Sequence, residues 1–142
     1  MTFVVSAPIA VKLMEPPIIE LATKEDERGF TVKPFEGKEL DSIHNIHLVS
    51  LNPGIVRGNH FHPTQREYIF ILGNKAKLVM VDSVNGTRSE KIIDGKGCSL
   101  IIVPPKVAHA VKNISNETIY LLCYTDNPLS PEKDVIKNVI LT

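Results

Sequence analysis

The chain has 142 residues, 43% of them hydrophobic, with 8 Gly and 10 Pro. That is the size of one domain able to bury a core without disulfides or a structural metal, and the composition excludes disordered, collagenous and coiled-coil classes. Sixteen Lys and Arg balance sixteen Asp and Glu, and the basic residues are scattered, which argues against a nucleic-acid partner and leaves little self-repulsion to oppose a homodimer.

The opening stretch MTFVVSAPIAVKLM is apolar for 11 residues before Lys12 and has no basic leader. It is too short to span a bilayer, so neither export nor a membrane anchor is expected. Pro16 and Pro17 end it. Short β-branched runs then follow, separated by turn residues, with almost nothing at helical period. A strand is expected over Ile18–Ala22, turned back through Thr23–Gly29 into Phe30–Phe35, and another over Ser42–Leu51, closed by Asn52-Pro53-Gly54. Further strands are read over Glu67–Leu72, Lys77–Ser83, Thr87–Ile93 and Cys98–Val103. Asn85-Gly86 predicts a type I′ hairpin between the second and third of these. Pro104-Pro105 breaks the chain before Val107–Asn113 and Thr118–Thr125, which read as a further hairpin around Ser115-Asn116. Ser130-Pro131-Glu132 is the one helix-start signal. Nine or ten strands and no linker imply a single all-β domain over residues 1–142, a sandwich or barrel. Cys98 and Cys123 sit in apolar runs without paired spacing, which suits reduced thiols and a cytoplasmic setting.

The chemistry concentrates in Gly54–Gly73, GIVRGNHFHPTQREYIFILG. His60 and His62 are two apart and therefore project from one face of a strand, about 6–7 Å apart along the backbone. Glu67 shares a face with Ile69 and Ile71, where a carboxylate needs a cation. His109 follows the double proline. The arrangement is Gly-x5-His-x-His-x4-Glu-x5-Gly, then Gly-x6-Pro-x4-His-x3-Asn, carried by Gly54, His60, His62, Glu67, Gly73, Gly97, Pro104, His109 and Asn113. The plain alternative to a metal site is a polar cavity with hydrogen-bonded imidazoles.

These two blocks resemble the motifs of the cupin family, which line a small antiparallel jelly-roll barrel. The resemblance implies His60, His62, Glu67 and His109 as ligands of one divalent transition metal, zinc or iron before manganese or nickel. Two departures stand out: five residues where six are usual before Gly73, and Lys106 where the second motif commonly has glycine, a change that bears on the turn leading to His109.

A narrower resemblance rests on Asp26-Glu27-Arg28-Gly29-Phe30 with Phe35, on Arg57-Gly58-Asn59-His60, and on Tyr124-Thr125-Asp126 followed by Ser130-Pro131-Glu132. These are similar to the RmlC-like branch, the dTDP-4-dehydrorhamnose 3,5-epimerases and their relatives. The resemblance implies His60 as the base beside the sugar's keto group, Arg28 as a diphosphate holder, Arg57 beside the reacting centre, and a dimer in which Arg28 can reach a neighbour's pocket. The match is incomplete. His62 replaces a Gln, Glu67 a Lys, Asn127-Pro128-Leu129 stands where a tyrosine acid is expected, and the aspartate that partners the base would lie in a C-terminal segment beyond this chain. The changes in the first motif point toward metal and resemble the metal-bearing C-terminal cupin of capsule-synthesis epimerase/reductases.

A ligand imidazole has no lone pair left to take a proton, so His60 cannot be both ligand and free base. Tyr124 and Tyr68 are then candidates to move the proton, Lys75 and Lys77 read as solvated, and of His44 and His47 the second is expected to face inward with Ile43 and Val49 and touch substrate. The expected activity is proton abstraction next to the keto group of a nucleotide-linked 4-keto-6-deoxy sugar, with catalytic His60, Arg57 and Tyr124 and substrate-binding Arg28, Arg57 and His47. The alternatives are a cupin dioxygenase or small-molecule isomerase on the same metal site, or a non-catalytic sugar- or metal-binding module.

Overall fold

The computed structural model describes residues 17–126 and 135–142; the apolar leader and the helix signal at Ser130 lie outside the described residues. The described residues form β1 (Ile18–Glu20), β2 (Thr23–Asp26), β3 (Gly29–Val32), a 3₁₀ turn (Gly37–Ser42), β4 (Asn45–Leu51), β5 (Val56–Phe61), β6 (Glu67–Leu72), β7 (Ala76–Asp82), β8 (Arg88–Ile93), β9 (Lys96–Val103), β10 (Val107–Asn113), β11 (Ile119–Thr125) and β12 (Ile136–Lys137). One five-stranded sheet runs β1-β9-β6-β11-β4, the other β12-β5-β10-β7-β8, and β2-β3 is a separate hairpin. All pairs are antiparallel. No helix among the described residues is long and apolar enough to cross a membrane.

The period-2 pattern decides what lies between the sheets. Ile69 and Ile71 of β6, Ile101 and Val103 of β9, and Ile119, Leu121 and Cys123 of β11 meet Leu78 and Met80 of β7 and Val107 and Val111 of β10 in one core. Each fully buried aliphatic side chain there contributes about 1.5–3 kcal/mol. The opposite face of the first sheet carries a second cluster, Phe70, Leu100 and Tyr124, covered by Leu21, Val32, Phe35 and Ile43. This architecture is the expected all-β jelly roll. The described residues hold twelve strands because the stretch from Ile18 to Val32 splits into three short ones and β12 adds an edge.

Two expected turns are corrected. β7 and β8 pair as predicted, but the connection is not a type I′ turn. Gly86 alone there takes a positive φ of 78°, and the Asp82 carboxylate accepts the amides of Val84 and Asn85. β10 and β11 do not form a hairpin. β10 pairs with β5 and β7, β11 with β4 and β6, so Ser115-Asn116 lies in a crossover between sheets. Asn113 builds that corner. Its buried amide donates to the Leu51 and Glu117 carbonyls, and its Oδ1 accepts from the Ser115 amide and hydroxyl.

Asn113→Ala strips those buried groups of their partners and is expected to cost about 2–3 kcal/mol. The measurement is a lower urea midpoint at unchanged m-value.

Candidate metal centre and substrate cavity

β5 and β10 place two of the imidazoles. His60 lies directly opposite His109, yet Gly58 lies opposite Ala110, so the register slips by one residue and Asn59 has no partner across the ladder. This is a β-bulge, one extra residue on one strand. Gly58 and Asn59 form it with φ of 99° and 55°. Glycine is required at the first position because a Cβ there would sit 2.6 Å from the His109 carbonyl oxygen. Asn tolerates the left-handed region at the second. The bulge has a functional result. Arg57 and His60 are three apart, which in a regular strand puts them on opposite faces, but here both border the same cavity.

Asn59 also ties down the carboxy-terminal stretch. Its Oδ1 accepts the amides of Ile140 and Leu141, its Nδ2 donates to the Leu141 carbonyl, and its own carbonyl accepts the Asn138 amide. β12 adds main-chain pairing at Phe61 and His60.

His62 follows β5, Glu67 opens β6 and His109 lies in β10. The His62 and His109 Nε2 atoms each lie 3.0 Å from Glu67 Oε2, and His60 packs edge-on to both, with ring centroids 5.1 and 4.8 Å away. One ligand atom from each of the four residues lies within 4.8 Å of the others. Lys106 occupies the glycine position of the second motif with φ 66°. The conformation glycine would adopt is kept because the Lys106 amide donates to the His62 carbonyl and its carbonyl accepts the Ser83 amide. The turn therefore delivers His109 to the cluster.

Glu67 is only 6% exposed, and among the described residues it pairs with His62 and His109 and with no lysine or arginine. A buried carboxylate lacking a permanent cation beside three converging imidazoles fits a divalent transition ion, which these four residues could hold; His47, Glu67 and Cys123 form a second, three-residue group at the same spacing. The cavity beside them encloses about 320 Å³.

The electrostatics agree with the geometry. Burial, and then the neighbouring His109, lower the His60 imidazole to about 4, against a smaller opposing pull from Glu67. Burial works to raise Glu67, but the charge and hydrogen bond of His109 and the hydrogen bond of His62 outweigh it and hold the carboxyl well below the usual range.

The expected site residues divide. His60, Arg57 and His47 line the cavity beside Glu67 and His109. Ile43, expected to face inward with His47, packs instead in the outer cluster. Arg28 is not in this cavity: it sits on the β2-β3 turn, its side chain 82% exposed and paired with Asp26. Tyr124 is also not in it. Along β11 Leu121, Cys123 and Thr125 face inward, so Tyr124 points to the other side of the sheet, where Phe35 packs edge-on between it and Tyr68 at 5.1 and 5.0 Å. Cys123 was read only as a core thiol, and it lines the cavity, within 4.8 Å of His47 and Glu67 at their ligand atoms. Its parity with Leu121 was the available signal. Burial, and then Glu67, push its thiol up.

Two antiparallel sheets closing on a His-x-His, Glu and His cluster make a jelly-roll barrel of the cupin type. The chain belongs to the polysaccharide biosynthesis C-terminal domain family, which matches residues 24–135. No curated protein matches it. The dTDP-6-deoxy-D-glucose-3,5-epimerase RmlC from Legionella pneumophila, solved with dTDP-4-keto-L-rhamnose, is 22% identical over 82% of this chain and 69% of its own, with a TM-score of 0.71. The 3,4-ketoisomerase QdtA from Thermoanaerobacterium thermosaccharolyticum, solved with TDP-4-keto-6-deoxyglucose, is 20% identical over 89% and 90%, with a TM-score of 0.70. The capsular polysaccharide assembling protein CapF from Staphylococcus aureus is 20% identical over 84% of this chain but 33% of its own, with a TM-score of 0.62. At these identities the likeness is one of fold.

Between pH 6.5 and about 4 the unfolded chain protonates His60 and the folded chain does not. Stability therefore falls as pH is lowered through that window, and Glu67 adds a loss of the same sign below about 4.5. Discounted for the part of the ring that water reaches, the His60 share is about 1–2 kcal/mol. Urea melts of chelator-treated protein are expected to show that slope, and His60→Gln to flatten its upper part.

Proposed function

We propose that this chain is a metal-assisted isomerase of a nucleotide-linked 4-keto-6-deoxy sugar, moving a proton at the carbon beside the keto group. What carries the reading is the convergence of His60, His62, Glu67 and His109 on one cavity that also admits Arg57. It is supported by a fold shared with an epimerase and a ketoisomerase solved with 4-keto sugar nucleotides.

The four residues would hold one divalent transition ion, zinc or iron before manganese or nickel, and when bound the ion supplies Lewis acidity toward the keto oxygen. The protein's own contribution is positional. Arg57 brings a permanent positive charge into a partly enclosed cavity, where it favours the negative oxygen of an enolate more than the neutral ketone. Val49, Ile69 and Leu121 form apolar wall, which keeps water sparse and strengthens that interaction. His60, as a ligand, gives up the role of free base.

Arg28 serves a second copy's cavity in this proposal. Among the described residues its hairpin pairs with neither large sheet, and the working form is a homodimer in the cytoplasm, where Cys98 and Cys123 stay reduced.

In D₂O, metal-loaded protein given a thymidine-linked 4-keto-6-deoxy sugar is expected to place deuterium on a carbon flanking the keto group. His62→Ala is expected to lose metal affinity and exchange together by at least about tenfold. Absence of exchange with both thymidine- and uridine-linked 4-keto sugars rejects the proposal. Mixing Arg28→Ala with His60→Ala chains is expected to restore part of the activity that each lacks alone, and no recovery returns Arg28 to a structural role.

A further inference from the structure

We infer that His47 is the base that takes the proton from the substrate carbon, positioned for that task by Asn45. The inference rests on the isomerase reading above, and it supplies what that reading lacks, a proton acceptor that is not a metal ligand.

Elimination around the cavity leads to it. Among the described residues the titratable groups on the wall are His47, Arg57, His60, Glu67, His109 and Cys123. A guanidinium offers donors and no acceptor, which removes Arg57. Glu67 is engaged with His62 and His109 at 3.0 Å each, and those imidazoles and His60 converge on the same point. Cys123 is 3% exposed, and burial, then Glu67, push its thiol up. Tyr124 faces the other side of its sheet. His47 is left, on β4, exposed at the mouth of the cavity.

The second observation is its orientation. Asn45 and His47 are two apart on one strand and so project from one face, and Asn45 Oδ1 lies 2.9 Å from His47 Nδ1. A carbonyl oxygen only accepts, so Nδ1 carries the hydrogen and donates it. In the neutral ring Nε2 is then the free lone pair, the tautomer a general base needs. The ring lies 4.8 Å or less from the ligand atoms of Glu67 and Cys123, a spacing at which these three could also share an ion, but it is not one of the four residues of the His60, His62, Glu67 and His109 cluster, and among the described residues it makes no ion pair with the carboxylate within 4.0 Å.

The step is a proton transfer. The carbon–hydrogen bond next to the keto group breaks, its electron pair becomes the enolate double bond, and negative charge moves to the former keto oxygen, with Arg57 on the same wall. The proton ends on His47 Nε2. The resulting imidazolium gives a proton back to carbon, and because the ring stands at the mouth it trades that proton with water first, which is how solvent deuterium reaches the sugar.

The test is deuterium wash-in by metal-loaded protein from a thymidine-linked 4-keto-6-deoxy sugar. His47→Gln is expected to lower the exchange rate by about 100-fold or more, with bound metal per chain and KM little changed. Asn45→Leu is expected to lower kcat about tenfold with KM held, and Asn45→Asp, which keeps an acceptor for Nδ1, to recover most of it. Exchange by His47→Gln within about threefold of an active wild type overturns the assignment, and so does loss of bound metal in that variant, which would make His47 a ligand. An inactive wild type instead brings down the isomerase reading itself, a separate result from either.

Discussion

The buried carboxylate of Glu67 is the constraint around which this barrel is organised. It stands at the start of β6 on the face that otherwise holds Ile69 and Ile71, where an ionised oxygen cannot persist without compensation. Two imidazoles reach one of its oxygens from separate places, one just past β5 and one from β10. A sheet-to-sheet contact that would ordinarily be aliphatic is therefore polar at one end of the core and apolar at the other. The aliphatic end holds the sheets together, and the polar end depends on that rigidity to keep four donors within coordinating distance.

Backbone geometry, more than side-chain choice, brings the donors together. Gly58 and Asn59 take positive φ to form the bulge, and Lys106 takes positive φ at the turn before His109. A non-glycine residue in the left-handed region carries a cost of order 1 kcal/mol. It persists at Lys106 because both main-chain groups there are hydrogen-bonded, one of them to His62 itself. The imidazoles of the first and second motifs are thus joined through the main chain as well as through Glu67.

Much of this was legible in the residues. Glu67–Leu72 and Val107–Asn113 came out at their observed bounds because alternation and turn residues agree there. The four candidate ligands were legible because spacing and strand parity act together. What escaped was whatever depends on pairing between distant strands. The Asn113–Thr118 stretch looks like a hairpin turn locally and is a crossover in space, since register with β4–β7 outweighs proximity in sequence. The resemblance places Arg57 beside the reacting centre, where it is found; what escaped is the bulge that brings it to the same side as His60, although Gly-Asn inside a strand was the available clue. Tyr124 is a candidate only because a ligated His60 leaves the proton without an acceptor, and its own alternation with Cys123 assigns it to the outer aromatic cluster.

The carboxy-terminal stretch lies along the free side of β5 and is held there by Asn59. Without it, the strand bearing Arg57 and His60 would be the rim of its sheet, the position most open to fraying and to pairing with foreign chains. At His60 it has strand neighbours on both sides. The most chemically loaded segment of the molecule thereby gains the stiffness of the sheet's centre while remaining next to a cavity that substrate can enter.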